Sequence, residues 1–172
     1  LLMSIGLWVR GARPKTLATS IASVMVGATM AYAHIEQSGT CIAIYPEPAS
    51  CATAREQQTL LMDRFWPVTI LCLLVALFLQ IAVNYANDYS DGIRGTDAGR
   101  DTDESKSGKP QRLTASGLVP AKHVLFAAMI CAAIACICGV VAVVLAQAWW
   151  LLAVGVASLL AGWFYTCLLY TS

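Results

Sequence analysis

Long apolar runs separated by short polar segments dominate the pattern of this chain. No Asp, Glu, Lys or Arg occurs from Thr16 to Ile35, from Phe65 to Asn87, or from His123 to Ser172. A helix needs about 20 consecutive apolar residues to cross the hydrocarbon core of a bilayer. The last run is long enough for two such helices. Its QAWW segment at 147–150 marks the turn between them, because aromatic rings collect at headgroup depth.

The runs predict an all-α protein, a polytopic transmembrane helical bundle, in a single domain over residues 1–172. The expected spans lie near 17–34, 66–86, 124–146 and 149–168. Apolar residues at helical spacing before Pro14 predict a short helix on the membrane interface. The first loop, 35–65, carries a Tyr-Pro-Glu-Pro run and many small polar residues, so we expect irregular structure there.

Composition excludes an ordinary soluble domain, since 58% of the residues are hydrophobic and only 12% are charged, against about 25% charged in soluble domains. Basic residues are concentrated before the first span and between the second and third. That distribution predicts a cytoplasmic N-terminus and a cytoplasmic loop at 87–122 in the inner (cytoplasmic) membrane. No basic stripe with interleaved aromatic residues occurs, so nucleic acid is not an expected partner.

The seven cysteines form no Cys-x-x-Cys pair, and five of them fall within predicted spans. Those five are expected to behave as small apolar side chains. Cys41 and Cys51 both lie in the loop predicted to be outside, where the compartment permits a disulfide. The sequence leaves that bridge open.

Oxygen-bearing side chains crowd the end of the second span, in the segment NYANDYSDGIRGTD at 84–97. We expect the helix to continue to about Ser90 before Gly92 ends it. Residues three or four apart share one face of a helix. The stripe formed in this way contains Asn84, Asn87, Asp88 and Asp91. The flexible glycines 92 and 95 allow a reversal that brings Asp97 beside it.

Carboxylates packed together repel one another unless a cation neutralises them, and clustered oxygens are the ligands that Mg²⁺ prefers. Basic residues follow in the same loop, namely Arg94, Arg100, Lys106, Lys109 and Arg112. Acidic and basic groups together suit a diphosphate bound through Mg²⁺. An ordinary solvated acidic loop, with basic residues that only orient the protein in the membrane, remains an alternative.

This acidic segment resembles that of the UbiA-type intramembrane prenyltransferases, which attach polyprenyl chains to aromatic acceptors. The family pattern Asn-x-x-x-Asp-x-x-x-Asp is matched by Asn87 and Asp91. Gly95 stands where the third Asp is expected, and Asp97 follows two residues later.

The spelling of three segments is similar to the branch of the family that uses 1,4-dihydroxy-2-naphthoate in menaquinone synthesis. These are the acidic segment, RPKTL at 13–17 and RLTASGLVP at 112–120. The resemblance implies Mg²⁺-dependent transfer from polyprenyl diphosphate that yields demethylmenaquinone, CO₂ and diphosphate. It also implies about nine spans around a central cavity and a second Asp-rich motif. This chain has about four spans and no such second motif, so residues 1–172 alone are expected to be inactive.

By this resemblance, Asp88, Asp91 and Asp97 hold the Mg²⁺ on the prenyl diphosphate. Asn84 and Asn87 complete its shell. Three basic residues assist the leaving diphosphate: Arg94, Lys109 and Arg112.

Three further residues have two open interpretations each. Arg13 and Lys15 bind the acceptor carboxylate or the diphosphate, or else anchor the first span to lipid headgroups. The ring of Tyr89 stabilises a cation in the cavity, or else packs between helices.

Two rival functions also remain open. One is a sister prenyltransferase with another aromatic acceptor such as 4-hydroxybenzoate. The other is a cation transporter, which usually carries its ionisable residues near the bilayer midplane rather than at a helix mouth.

Overall fold

The computed structural model describes residues 2–39, 48–94, 113 and 119–168. They form five helices: α1 (Leu2–Gly11), α2 (Pro14–Ser38), α3 (Pro48–Arg94), α4 (Ala121–Ala146) and α5 (Trp150–Leu168). Within these ranges no strand occurs, which confirms the all-α prediction.

Three helices are long and apolar enough to cross a membrane. They are Pro14–Ser38, the part of α3 from Cys51 to Ser90, and Ala121–Ala146, and they contain the first three predicted spans. The 19-residue α5 occupies all but the first residue of the fourth predicted span. Much of the large apolar surface of these helices is exposed, as expected for side chains that face lipid.

The prediction of irregular structure in the first loop is wrong for residues 48–65, because α3 is already helical from Pro48. Proline suits the first turn of a helix, and the following stretch is rich in Ala, Glu, Gln, Leu and Met, which favour helix. This extension packs on the end of α2. Gln58 Nε2 donates to the Glu36 carbonyl at 3.2 Å, and the Tyr32 and Phe65 rings meet edge to face at 5.5 Å.

Helix α3 is the centre of the bundle, since it packs against both α4 and α2. Helices α3 and α4 are in contact at Gly139, where an added Cβ would lie at an ordinary van der Waals distance of 3.8 Å from Val75 Cγ2. Small residues at such crossings let membrane helices come close together. At its other end, α3 extends into the loop that the sequence predicted at 87–122. It continues to Arg94, two residues past Gly92, which was expected to end it.

A small core lies where α1 meets the end of α3. Its buried members are Ala12, Tyr85, Leu113, Val124 and Ala128. Trp8 on α1 packs edge to face on Tyr85, with ring centroids 5.5 Å apart, and its carbonyl accepts a hydrogen bond from the Tyr85 hydroxyl at 3.0 Å. The short helix predicted before Pro14 is therefore present and attached to the bundle.

The structure distinguishes Cys51 from four cysteines of the spans. Cys51 is disulfide-bonded, whereas Cys72, Cys131, Cys136 and Cys138 are free. Cys41, with which the sequence left a bridge open, lies outside the described residues.

Candidate functional site

The acidic end of α3 lies against the junction between α1 and α2. Asp88 is 1% exposed, and its Oδ1 lies 3.1 Å from Nη2 of Arg13. Removing a carboxylate from water costs several kcal/mol unless a partner charge and hydrogen bonds compensate. Arg13 supplies that charge from the junction between α1 and α2, 75 residues away in sequence.

The second oxygen of Asp88 is also engaged. Oδ2 accepts a hydrogen bond from the backbone N–H of Leu113 at 3.0 Å. Leu113 is completely buried and belongs to the core between α1, α3 and α4. We call the Arg13–Asp88 ion pair and the Asp88–Leu113 hydrogen bond together the Asp88 anchor. It joins the α1–α2 junction and the end of α3 to Leu113, which precedes α4 in the chain.

The backbone of Arg13 is in the left-handed region, with φ 53° and ψ 71°. Such a conformation costs a residue with a Cβ about 1–2 kcal/mol. Arg13 lies between the end of α1 and the start of α2, and its carbonyl accepts hydrogen bonds from both N–H and Oγ1 of Thr16, each at 2.9 Å. The ion pair with Asp88 holds the side chain of this strained residue in place.

Asn84 lies one turn before Asp88 and is 4% exposed. Its Nδ2 donates to the Ala12 carbonyl at 2.8 Å and to Thr16 Oγ1 at 3.0 Å. Its Oδ1 accepts from Gln80 Nε2 at 3.4 Å. The hydrogen bonds to Ala12 and Thr16 connect α3 to the α1–α2 junction.

Gln80 extends this polar row one turn further into the apolar span, where its Oε1 accepts from Ser20 Oγ at 3.0 Å. The sequence analysis missed Gln80 and Ser20. The sequence does contain a signal for Gln80, because Gln80, Asn84 and Asp88 follow one another at intervals of four residues and so share one helix face. No comparable signal marked Ser20 or Leu113.

The structure separates the members of the predicted stripe. Asn84 and Asp88 share a buried face, whereas the side chain of Asn87 is exposed. Asp91 lies in the last turn of α3 one turn after Asn87, but its side chain is outside the described residues. Asp97, Lys109 and Arg112 are outside them entirely, as is the side chain of Arg94.

The remaining predicted site residues are found at the same end. Lys15 is exposed on the first turn of α2. Tyr89 is partly buried and packs against the core that contains Leu113, which is the packing interpretation of that residue. Arg13 makes its ion pair with Asp88, a role that neither of its predicted interpretations included.

Some of these residues are better suited than others to bind Mg²⁺. Among the side chains that the structure describes, no group of three or more His, Cys, Asp or Glu converges as a metal site. Asp88 fits poorly, because it is buried and each of its oxygens already has a partner. Asn87 fits better, since its amide is exposed at the end of α3.

An apolar cavity of about 440 Å³ between α2 and α3 lies elsewhere in the bundle. Its lining reaches only from Leu61 to Cys72 on α3. At a helical rise of about 1.5 Å per residue, Cys72 is some 24 Å along α3 from Asp88. The cavity is therefore not part of the acidic site.

Comparisons with known proteins address the family. Residues 59–172 match the model of the UbiA prenyltransferase family. A 1,4-dihydroxy-2-naphthoate octaprenyltransferase of Mycobacterium tuberculosis is 38% identical over 95% of this chain and 44% of its own length. The enzyme of that name from Mycobacterium leprae is 35% identical, with the same coverage of both chains. A third such enzyme, from Haemophilus influenzae, is 29% identical over 68% of this chain and 28% of its own.

No solved structure matches this chain. The chain spans less than half the length of the curated relatives it matches. The family match covers most of the chain and agrees with the family predicted from the acidic segment. The chain belongs to the UbiA prenyltransferase family.

Proposed function

We propose that the whole protein that contains this chain transfers a polyprenyl group from its diphosphate to 1,4-dihydroxy-2-naphthoate, a step of menaquinone synthesis. The similarity to the Mycobacterium tuberculosis relative carries this proposal, because 163 aligned residues necessarily include the acidic segment at 84–97. Membership in a prenyltransferase family favours this activity over a cation transporter.

In this reaction the bond between the first prenyl carbon and the diphosphate oxygen breaks. A new carbon–carbon bond forms at the ring carbon of the naphthoate that loses its carboxylate as CO₂. The products are the quinol form of demethylmenaquinone, CO₂ and diphosphate. An apolar surrounding that excludes water protects the electron-poor prenyl carbon from hydrolysis.

We assign Asn87 and Asp91, with Asp97, to the Mg²⁺ that accompanies the prenyl diphosphate. The exposed amide of Asn87, one helical turn before Asp91 at the end of α3, supports this choice. When bound, Mg²⁺ neutralises charge on the diphosphate oxygens, and it is typically held by one or two carboxylates together with substrate phosphates.

The basic residues of the loop complete the proposed diphosphate site. Arg94, Lys109 and Arg112 stabilise the negative charge that grows on the diphosphate as it leaves. Lys15 is exposed at the same end of the bundle and is available for the naphthoate carboxylate or the diphosphate. We place this end of the bundle on the cytoplasmic side of the inner membrane, since Lys and Arg are concentrated there.

A transfer assay with the whole protein tests the function. The protein is incubated with Mg²⁺, labelled polyprenyl diphosphate and either 1,4-dihydroxy-2-naphthoate or 4-hydroxybenzoate. We expect labelled product and CO₂ when the acceptor is the naphthoate and not when it is 4-hydroxybenzoate. Chelation of the metal with EDTA should abolish the product. Product with 4-hydroxybenzoate only would identify a sister enzyme, and no product with either acceptor would overturn the proposal.

A further inference from the structure

Asp88 stands next to the residues proposed to bind Mg²⁺, yet its surroundings differ from those of a metal ligand. It is 1% exposed, Oδ1 faces the guanidinium of Arg13, and Oδ2 faces the N–H of Leu113. To bind a cation, the carboxylate would have to give up its ion pair with Arg13, whose side chain is partly buried. Because Asp88 itself is buried, that exchange would also require the packed residues around it to move.

The Asp88 anchor holds two segments whose own conformations need support. At the first, Arg13 adopts a left-handed backbone immediately before Pro14. At the second, the side chain of Leu113 packs directly on Gly11. A Cβ added to Gly11 would lie only 2.7 Å from Leu113 Cγ. Neither arrangement follows from local preference, so a contact from a third element must stabilise it.

Leu113 is also the residue that directly follows Arg112 in sequence. Arg112 is one of the basic residues that we assign to the leaving diphosphate. The hydrogen bond from the Leu113 N–H to Asp88 Oδ2 holds in place the residue that directly follows Arg112. The Asp88 anchor thus connects a buried carboxylate to a residue of the proposed diphosphate site without direct contact between Asp88 and substrate.

We infer that Asp88 is a positioning residue rather than a metal ligand. Through Arg13 and the Leu113 N–H it attaches the α1–α2 junction and Leu113 to the end of α3. The metal is left to Asn87, Asp91 and Asp97. This inference rests on the proposed function for its substrate, but the anchor itself is a property of the fold.

Metal binding gives the first test, in the whole protein with Mn²⁺ as a spectroscopic probe. We expect Asp88→Asn to leave the Mn²⁺ dissociation constant within about twofold of the unmodified protein. Loss of a true ligand by Asp91→Asn should raise it about tenfold or more. An equal loss of Mn²⁺ affinity in the two variants would overturn the inference.

Hydrogen exchange of peptides that contain Leu113 gives the second test, and it needs neither substrate nor metal. Asp88→Asn and Arg13→Gln should both speed exchange of the Leu113 amide, whereas Arg10→Gln should not. Arg10 is an exposed basic residue on the last turn of α1 and serves as the matched control. Because Arg13→Gln leaves every carboxylate intact, it tests the anchor even where Asp88→Asn fails to fold. Unchanged exchange in Arg13→Gln would refute the anchor.

Steady-state kinetics separates positioning from a general loss of structure. In Arg13→Gln, which removes no proposed metal ligand, we expect the KM for polyprenyl diphosphate to rise about tenfold and kcat to change much less. An unchanged KM with a lowered kcat would contradict positioning at the diphosphate. Failure of the proposed function would instead leave all variants without transfer while the exchange difference persists.

Discussion

Gly11 and Leu113 are in direct contact across the end of the bundle, although they are 102 residues apart in sequence: a Cβ built on Gly11 would lie 2.7 Å from Leu113 Cγ. Leu113 is fully buried by this contact and by the neighbouring core. The last residue of α1 must therefore be small for Leu113 to pack against it.

Gly11→Ala should consequently destabilise the protein. Forcing a methyl group into a packed core costs about 1–3 kcal/mol, which outweighs the gain from replacing glycine in a helix, up to about 1 kcal/mol. Thermal unfolding in detergent measures the difference. Gly6→Ala is the matched control on the same helix, because nothing lies within 4 Å of its added Cβ. A melting temperature for Gly11→Ala equal to or above that of Gly6→Ala would contradict the packing.

The Arg13–Asp88 ion pair should show strong coupling in a double-mutant cycle. Arg13→Ala leaves a buried carboxylate without its cation. Breaking a fully buried pair in this way costs about 3–5 kcal/mol, and the 29% exposure of the Arg13 side chain should bring the cost below that range. We expect the double variant Arg13→Ala/Asp88→Leu to lose less stability than the sum of the two single variants. Chemical unfolding of the four proteins provides the measurement, and additive losses would show that the two side chains act independently.

Asn84 and Asn87 offer a matched pair on one helix. Asn84→Asp replaces the amide that donates to the Ala12 carbonyl with a group that cannot donate when ionised. We expect it to lower stability by about 1–3 kcal/mol, the cost of buried polar groups without partners. Asn87→Asp makes the same chemical change at an exposed side chain and should shift the melting temperature little. Equal shifts in the two variants would argue against the buried contact.

Asp91 should be needed for transfer and not for the fold. Under the proposed function, Asp91→Asn removes a charged ligand from the metal and diphosphate. Loss of one group that stabilises charge in a reaction typically lowers the rate about 100-fold or more. The transfer assay measures this loss, and the melting temperature without metal should remain that of the unmodified protein. Transfer at the normal rate would remove Asp91 from the proposed site.

Two points could not be read from the sequence pattern, for different physical reasons. Residues 48–65 were expected to be irregular because the first loop carries prolines and many small polar residues, yet α3 begins at Pro48 and the residues that follow it favour helix. Asp88 was grouped with Asp91 because both lie on one helix. Their spacing of three residues is compatible with a shared face, but the partner of each side chain depends on which other element lies beside it.

What the sequence determined by itself is local and periodic. Apolar runs of membrane-spanning length predict the helices, since a bilayer imposes that length on any chain that crosses it. The spelling of the acidic segment predicts the family, which the comparisons confirm.

Only the tertiary structure decided which polar groups meet. Arg13 and Asp88 are 75 residues apart, and Asp88 and Leu113 are 25 residues apart. Each of these residues had several candidate partners at the same end of the bundle. The packing of α1, α2 and α4 around α3 selected one set, because a buried carboxylate is stable only where a cation and a hydrogen-bond donor are brought to it.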